Sequence, residues 1–256
     1  MQKRISFKNS KGQRLVGVLH MPKGKGPFPT VIVQHGFRVS HETDFIKSIA
    51  KALEKAGFVV LRFSLSGHKP SGGTYKEVLV SQFVKDIDRA IKFLLKLSKV
   101  NKHRIGIVGH SMGAFSSLIA AQKFNKYIKA VISISSFYNP KNLQQTYYRD
   151  KLIVDSNKDY WSIGTIKITK KHFQDRAYLQ KNYQIKNIHC PALIIHGNKD
   201  KRVQPKDAQI IYNLLEQPKD LKIIKGADHY FYNQKHVKQV VSATLKWFKE
   251  YLVNAV

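Results

Sequence analysis

Cysteine and long apolar runs are scarce in this sequence, and each scarcity excludes a class of protein. The single cysteine, Cys190, rules out an internal disulfide, and its place before Pro191 at the start of an apolar run favours a packing role. No apolar run is long enough to span a bilayer. The first twenty residues lack the apolar core of a signal peptide because basic residues interrupt them: Lys3, Arg4, Lys8, Lys11 and Arg14. We therefore expect a soluble, cytoplasmic protein.

Acidic residues are also few, with 16 Asp and Glu against 45 Lys and Arg, so the formal net charge is +29 at pH 7. Such a charge is compatible with an anionic partner, for example nucleic acid, a membrane surface or an acidic substrate. However, no run of Lys and Arg is longer than two, the basic residues extend over the whole chain, and no nucleic-acid-binding motif accompanies them. A solvated basic surface is the simpler interpretation, and no specific nucleic-acid partner is expected.

The order of the apolar runs predicts the fold class. The runs "RISFKNS" and "QRLVGVLHMP", joined at Gly12, predict an antiparallel pair of strands. Further strands are predicted at "TVIVQHG", "FVVLRFS", "RIGIVGH", "AVISISS", "ALIIHGN" and "LKIIKGA". Helical patterns separate them, such as "DFIKSIAKALEKAG", which ends at Gly57. We therefore predict one α/β domain over residues 1–256, with a mostly parallel central sheet and helices on both faces.

The stretch "RIGIVGHSMGAFSS" places Ser111 at the turn between a predicted strand and a predicted helix. Gly109 and Gly113 stand two residues before and after this serine, where a Cβ atom would collide as the chain reverses direction. A turn of this kind raises the serine clear of the sheet, so its hydroxyl is a candidate nucleophile.

Three motifs, "GHSMG" at this turn, "HGF" after the strand "TVIVQ" and "GHKPS" after the strand ending at Ser64, resemble the α/β-hydrolase superfamily. The resemblance covers nearly the whole chain. In the third motif Lys69 replaces the second glycine of the superfamily's G-H-G-x-S element. The resemblance implies an α/β-hydrolase fold and a serine hydrolase in which nucleophile, acid and histidine follow each other in that order along the chain.

The resemblance also implies which residues complete the catalytic triad of Ser111. Asp200 lies in the loop after "ALIIHG" and is the candidate acid, although an aspartate at this place is also a common turn former. The alternative acid position after "AVISISS" offers no Asp or Glu before Asp150. His229 follows the last predicted strand and is the candidate base, while Asp228 is expected to shape the loop.

The backbone N–H groups of Phe37 and Met112 are the candidate oxyanion hole of a serine hydrolase of this kind. On its own, "HGF" also fits an ordinary turn at the end of a strand. No metal and no cofactor is expected, because the triad and two backbone donors suffice for acyl transfer.

A segment of about residues 137–186, after the sixth strand, is longer than one crossover helix requires and rich in aromatic residues. These are Phe137, Tyr138, Tyr147, Tyr148, Tyr160, Trp161, Phe173, Tyr178 and Tyr183. Within it, "WSIGTIKITKK" predicts a small hairpin. An insertion here resembles the small cap of feruloyl and cinnamoyl esterases, which implies esters of small to medium or aromatic acyl groups as substrates. The aromatic residues fit a core of the cap equally well, so no residue is assigned to substrate binding.

Several alternatives stay open at this point. A peptidase of the prolyl-oligopeptidase type has the same triad order, but such enzymes usually carry a large N-terminal gating domain. A thioesterase would use the same apparatus, since fold and triad do not fix the acyl donor. A protein of another class, a non-catalytic binder of an anionic ligand, would use the basic surface instead. The sequence also leaves open whether the chain forms a homodimer.

Overall fold

The computed structural model describes residues 1–139, 152–153, 160–163 and 165–254, and within these ranges it contains eleven strands and six α-helices. The strands are β1 (Gln2–Lys8), β2 (Arg14–His20), β3 (Phe28–Gln34), β4 (Val59–Phe63), β5 (Val100–His110), β6 (Ile128–Ile134), β7 (Leu152–Ile153), β8 (Tyr160–Ile163), β9 (Ile166–Thr169), β10 (Ala192–Gly197) and β11 (Lys219–Ile224). The helices are α1 (Asp44–Lys55), α2 (Val80–Leu94), α3 (Met112–Lys123), α4 (Lys170–Asn182), α5 (Pro205–Leu214) and α6 (Gln234–Leu252).

Eight of the described strands form the central sheet in the order β1-β2-β4-β3-β5-β6-β10-β11. The first two strands pair antiparallel about a turn in which Gly12 has a φ of +77°, and β2 pairs antiparallel with β4. All other neighbours in this sheet are parallel. The predicted fold class, a mostly parallel sheet that begins with an antiparallel pair, is confirmed.

Helices cover both faces of the sheet because the side chains of the buried strands alternate between two cores. In β5, Ile107 packs into one core and Val108 into the other. The first core also receives Phe83 of α2 and Leu118 of α3, whereas the second receives Ile49 of α1 and Phe248 of α6, among others. Helices therefore pack on both faces of the sheet, and the carboxyl ends of its parallel strands meet at one edge.

The segment between β6 and β10 contains a small antiparallel sheet of β7, β8 and β9 in the described residues. The predicted hairpin is confirmed, with Trp161 opposite Ile168. Helix α4, however, was not predicted, because its sequence "KKHFQDRAYLQKN" shows no continuous apolar face. It is fastened to the start of α2, where the backbone N–H of Ser81 donates to Asp175 Oδ2 at 3.0 Å. Tyr147 and Tyr148 lie outside the described residues.

None of the helices in the described parts of the chain is both long enough and apolar enough to cross a membrane. The longest of them, α6, has 19 residues and carries four lysines, Lys235, Lys238, Lys246 and Lys249.

Candidate active site

Ser111 lies between the end of β5 and the first residue of α3, and its backbone has a φ of 55° and a ψ of −119°. Few residues other than glycine adopt such a positive φ, and the conformation costs energy that the surroundings must supply. A Cβ atom at Gly109 would lie 2.3 Å from the carbonyl oxygen of Gly113, and one at Gly113 would lie 2.3 Å from that of His35. Both obstacles are backbone atoms, so a side chain at either position would require the backbone to shift.

The structure brings Ser111, His229 and Asp200 together. The Nε2 atom of His229 lies 3.0 Å from Ser111 Oγ, and its Nδ1 atom lies 2.7 Å from Asp200 Oδ2. Asp200 follows β10 and His229 follows β11, so two loops at the carboxyl ends of neighbouring parallel strands supply these side chains. Both residues are buried, with 5% and 6% of their surface exposed. The histidine can therefore accept the serine proton through Nε2 while it donates through Nδ1 to the carboxylate.

The carboxylate of Asp200 is held by several donors. Its Oδ1 atom accepts from the backbone N–H groups of Arg202 at 2.8 Å and Val203 at 2.9 Å. Burial alone would raise the pKa of Asp200, but hydrogen bonds from His196 and His229 outweigh burial and hold its pKa below the usual value. The side chain is therefore ionised at neutral pH and suited to fix the orientation of the imidazole. Asp228, in contrast, accepts from the backbone N–H of Tyr232 at 3.3 Å and shapes the loop.

The loop after β3 lies against Ser111, since a Cβ atom at Gly36 would be 3.1 Å from Ser111 Cβ. The ring of His35 donates through Nδ1 to the carbonyl oxygen of Gly36 at 2.7 Å. This carbonyl and the N–H of Phe37 belong to one planar peptide unit, so the bond also fixes the direction of that N–H. On the other side, His68 accepts through Nε2 from the backbone N–H of Arg38 at 3.2 Å.

Both of these histidines are uncharged. Burial lowers the pKa of His35 well below its usual value and that of His68 to about 4. A neutral ring is required in each case because one of its nitrogens accepts a backbone hydrogen bond, His35 from Leu65 at 3.0 Å and His68 from Arg38. His68 belongs to the "GHKPS" motif, so the motif positions the loop that carries Phe37 although Lys69 replaces the usual glycine.

A cavity of about 40 Å³ lies in front of Ser111 and is lined by both candidate oxyanion donors, Phe37 and Met112, and by His229. Met112 is the first residue of α3, so its N–H has no partner within that helix. Further lining residues are Gly36, Arg38, Val39, His110, Phe137, Arg176, Arg202, Val203 and Tyr230. The cavity thus brings together the candidate nucleophile, the candidate base and both candidate backbone donors in one small space.

Sequence reasoning missed two groups of residues around this site. His196 and His110 contact the triad: His110 donates through Nε2 to the carbonyl oxygen of His229 at 2.7 Å, and burial lowers the pKa of His110 to about 3. Both residues stand at the ends of buried strands, where a histidine among apolar residues was the available signal.

Arg176 of α4 was missed as well, since no motif surrounds it. Its side chain is buried and lies over the rings of Phe137 and Phe173, and it donates to His172 Nε2. His172 in turn donates through Nδ1 to the carbonyl oxygen of Val78 at 2.6 Å. This chain of contacts brings a guanidinium group from α4 to the cavity of Ser111. Among the described residues, no three His, Cys, Asp or Glu side chains are grouped so that they could hold a metal ion.

Comparison with known proteins identifies a family whose sequence pattern this chain matches. The model of the prolyl oligopeptidase family matches residues 44–255 of the chain. Among curated proteins, esterase EstD of Thermotoga maritima is 24% identical over 238 residues, which cover 82% of this chain and 56% of EstD. The chain therefore spans little more than half the length of this relative.

Solved structures are similar over almost their whole length. Est1E from Butyrivibrio proteoclasticus with ferulic acid bound has a TM-score of 0.84 at 23% identity and covers 96% of this chain and 98% of its own. The alpha/beta hydrolase GrgF from Penicillium sp. sh18 has a TM-score of 0.78 at 19% identity and covers 98% of this chain and 99% of its own. The α/β-hydrolase fold and the resemblance to feruloyl and cinnamoyl esterases, both predicted from the sequence, are confirmed at the level of the fold.

Proposed function

This chain belongs to the prolyl oligopeptidase family, and we propose on that basis that it is a serine hydrolase that cleaves carboxylic esters through an acyl-enzyme on Ser111. The observation that carries the proposal is the continuous hydrogen-bonded line from Ser111 Oγ through His229 to Asp200, with distances of 3.0 and 2.7 Å. A serine hydroxyl is a weak nucleophile until a neighbouring base can take its proton, and this line provides such a base.

In the proposed acylation step, Ser111 Oγ attacks the ester carbonyl carbon while its proton passes to His229 Nε2. Asp200 keeps the imidazole in the tautomer that can accept this proton and stabilises the positive charge that forms. The N–H groups of Phe37 and Met112 donate to the oxygen that becomes negative, and one such donor typically contributes about 3 kcal/mol. His229 then returns the proton to the alcohol oxygen, the C–O bond breaks, and the acyl group stays on Ser111.

Deacylation repeats these steps with water as the nucleophile. His229 takes a proton from the water as it attacks the acyl carbon, and the proton then returns to Ser111 Oγ as the acid leaves. Side chains and backbone donors handle every proton and charge in this scheme, so it requires no metal and no cofactor.

We propose that the acyl half of the ester is small to medium in size or aromatic. The volume of about 40 Å³ in front of Ser111 supports short acyl chains, because each further methylene gains about 0.8 kcal/mol only while it finds apolar space. The rings of Phe37, Phe137 and Tyr230 at this cavity support aromatic acyl groups. In this proposal, residues of about 137–186 act as a cap over the site, with Phe137 and Arg176 as described members that reach the cavity.

A fluorophosphonate probe tests the proposal because it labels an activated serine and leaves an idle one unmodified. We expect the wild-type protein to be labelled at Ser111 and to hydrolyse p-nitrophenyl acetate, and Ser111→Ala to lose both properties while it stays folded. Ser117→Ala is the matched control, since Ser117 lies on the same helix and its hydroxyl bonds only to the carbonyl oxygen of Gly113 at 2.7 Å. An unlabelled wild-type protein would favour the non-catalytic binding protein instead.

Peptide hydrolysis is the second candidate, and the match to the prolyl oligopeptidase family favours it. The same triad serves amides and esters, and the difference is the higher barrier to expel an amine. Matched ester and amide substrates with one acyl group decide between them. Faster cleavage of the amide than of the ester would make this chain a peptidase and would leave the assignment of Ser111 intact.

A further inference from the structure

A second cavity, of about 410 Å³, lies beside the cavity of Ser111 and is about ten times larger. It lies between the start of α1 and the loop that follows His229, and its wall includes Thr43, Ser48 and Tyr232. The two cavities share Val39, His110 and Tyr230. Its volume falls within the range of ordinary small-molecule sites, roughly 300–1,000 Å³. The proposed acylation and deacylation steps involve only the smaller of the two cavities.

We propose that this second cavity, called the acceptor cavity below, binds the alcohol half of the ester and selects uncharged, bulky aromatic alcohols. This inference rests on the proposed ester hydrolysis and names the leaving group for it. An ester bound in this way presents a short acyl group to the small cavity and an aryl group to the acceptor cavity.

The direction of proton transfer supports the assignment of the acceptor cavity to the alcohol half of the ester. His229 must deliver its proton to the alcohol oxygen, so the leaving group lies on the His229 side of the reacting carbon, away from the N–H groups of Phe37 and Met112. The acceptor cavity is on that side, since Tyr230, Phe231 and Tyr232 of its wall directly follow His229 in the chain. His110, which forms another part of the wall, donates to the carbonyl oxygen of His229 at 2.7 Å.

The chemistry of the wall indicates the class of alcohol. The rings of Phe45 and Phe231 are stacked with centroids 5.1 Å apart and an interplanar angle of 7°, and Tyr232 adds an aromatic side chain that is 75% exposed. The stacked rings of Phe45 and Phe231 are 7% and 1% exposed, so they form a buried apolar part of the wall, and Tyr232 supplies the accessible ring against which a planar aromatic ligand can pack.

Polar groups on the same wall can orient hydroxyl substituents of such a ligand, because Thr43, Ser48 and Gln234 offer hydroxyl and amide groups. Asp44 is the one acidic or basic side chain other than His110 among the described lining residues, and it pairs with Lys47 at 2.7 Å. Burial keeps His110 uncharged. The wall therefore fits an uncharged phenol better than an anionic alcohol, although the chain as a whole carries a net charge of +29.

The test uses acetate esters that differ only in the alcohol: methyl acetate, phenyl acetate and 2-naphthyl acetate. Ser48→Trp fills the acceptor cavity, and Lys51→Trp places the same ring one turn further along α1, outside this cavity. Each variant is compared with wild type on each ester, so the intrinsic reactivity of the esters cancels. We expect Ser48→Trp to lower kcat/KM for 2-naphthyl acetate by at least tenfold, to change that for methyl acetate less than twofold, and Lys51→Trp to change neither.

Two further readouts make the result specific. Free 2-naphthol should inhibit methyl acetate hydrolysis competitively in wild type and Lys51→Trp but not in Ser48→Trp. The rate of deacylation should be the same for all three esters, because the acetyl-enzyme no longer contains the alcohol. Tyr232→Ala, at an exposed position that leaves the fold intact, should raise KM for 2-naphthyl acetate alone.

The outcomes separate this inference from the proposed function. If wild type hydrolyses all three acetates but Ser48→Trp affects them equally or not at all, the acceptor cavity does not hold the alcohol. If wild type hydrolyses none of them and no serine is labelled by fluorophosphonate, the ester hydrolase proposal itself fails.

Discussion

His196 shares its Nε2–H between Asp200 and the backbone: Nε2 lies 3.3 Å from Asp200 Oδ2 and 3.0 Å from the carbonyl oxygen of Val203. The same carboxylate oxygen accepts from His229 at 2.7 Å. Both acceptors require a proton on Nε2 of His196, so this buried histidine acts as a hydrogen-bond donor that orients the carboxylate of Asp200.

Replacing His196 should therefore weaken catalysis without weakening substrate binding. We expect His196→Phe to lower kcat by about ten- to a hundredfold, since a hydrogen bond to a charged group contributes roughly 1.5–3 kcal/mol, while KM stays the same. His196→Gln can keep a donor near Oδ2 and should recover part of the loss. Steady-state kinetics on p-nitrophenyl acetate measures both effects, and an equal loss in the two variants would assign His196 to packing alone.

Asp200 should have a larger effect than His196. Asp200→Asn preserves the size of the side chain but favours the imidazole tautomer that cannot accept the serine proton, so kcat should fall by about 10⁴ with little change in KM. Asp228→Asn is the matched control, because Asp228 bonds to the backbone N–H of Tyr232 and not to the base. If Asp200→Asn is nearly as active as wild type, another residue serves as the acid.

His35 should act on the rate through Phe37. His35→Leu removes the hydrogen bond to the carbonyl oxygen of Gly36 and releases the peptide unit that carries the Phe37 N–H. We expect kcat to fall by about ten- to a hundredfold, because one misdirected oxyanion donor is lost. His35→Asn can keep a donor near the position of Nδ1 and should restore activity in part. Circular dichroism checks that both variants are folded. A rise in KM with kcat unchanged would contradict a role for His35 at the oxyanion.

Asp86 should make the stability of the fold depend on pH. It is fully buried and accepts from Ser66 N at 2.8 Å, Ser66 Oγ at 3.0 Å and Gln82 Nε2 at 2.8 Å. Burial outweighs these bonds and raises the pKa of Asp86 to about 6, above its unfolded value of 3.8. The carboxyl of Asp86 therefore binds its proton more tightly in the folded state than in the unfolded state. Protonated Asp86 contributes its full stabilisation below the unfolded pKa, and this stabilisation is lost as the pH rises through about 6.

Urea unfolding at pH 4 and pH 7 measures this effect against Asp86→Asn. The free energy of unfolding of wild type relative to the variant should decrease by about 2 kcal/mol between these pH values. Parallel pH profiles of the two proteins would show that Asp86 titrates alike in the folded and unfolded chain.

Acyl length should limit turnover. On p-nitrophenyl esters, kcat/KM should be highest for acetyl to hexanoyl groups and low for dodecanoyl and longer groups, because added carbons find no further apolar space in a cavity of about 40 Å³. Methyl esters of hydroxycinnamates should also be cleaved. All substrates are compared as monomers below their micelle concentrations. A preference for long chains, or activation at a lipid interface, would indicate a lipase with an open groove.

Local patterns in the sequence predicted much of the fold and the positions of Ser111, Asp200 and His229. Each of these residues lies in the turn or loop after a short apolar run, and such runs become parallel strands whose carboxyl ends meet at one edge. The glycines around Ser111 carry their own signal, because a Cβ atom at either position would lie 2.3 Å from a carbonyl oxygen.

Other features depend on contacts that no local pattern records. The sheet order places β4 between β2 and β3, which the order of runs along the chain does not reveal. Helix α4 was missed because its buried residues, His172 and Arg176, are polar and are stabilised by partners outside the helix, the carbonyl oxygen of Val78 and the ring of Phe137. The contact of His196 with Asp200, at 3.3 Å, likewise follows from the tertiary fold and from no local pattern.

The contact between Gly113 and His35 has a consequence for how this protein can diverge. The nucleophile turn and the strand before the oxyanion loop touch through main-chain atoms, where a Cβ atom on Gly113 would lie 2.3 Å from the carbonyl oxygen of His35. Their separation is therefore set by the backbone and not by the size of any side chain. The walls of the acceptor cavity, by contrast, are side chains such as Ser48 and Tyr232. Under the proposed function, drift or directed evolution can thus change the leaving group that fits the acceptor cavity while the spacing between Ser111 and the loop of Phe37 stays constant.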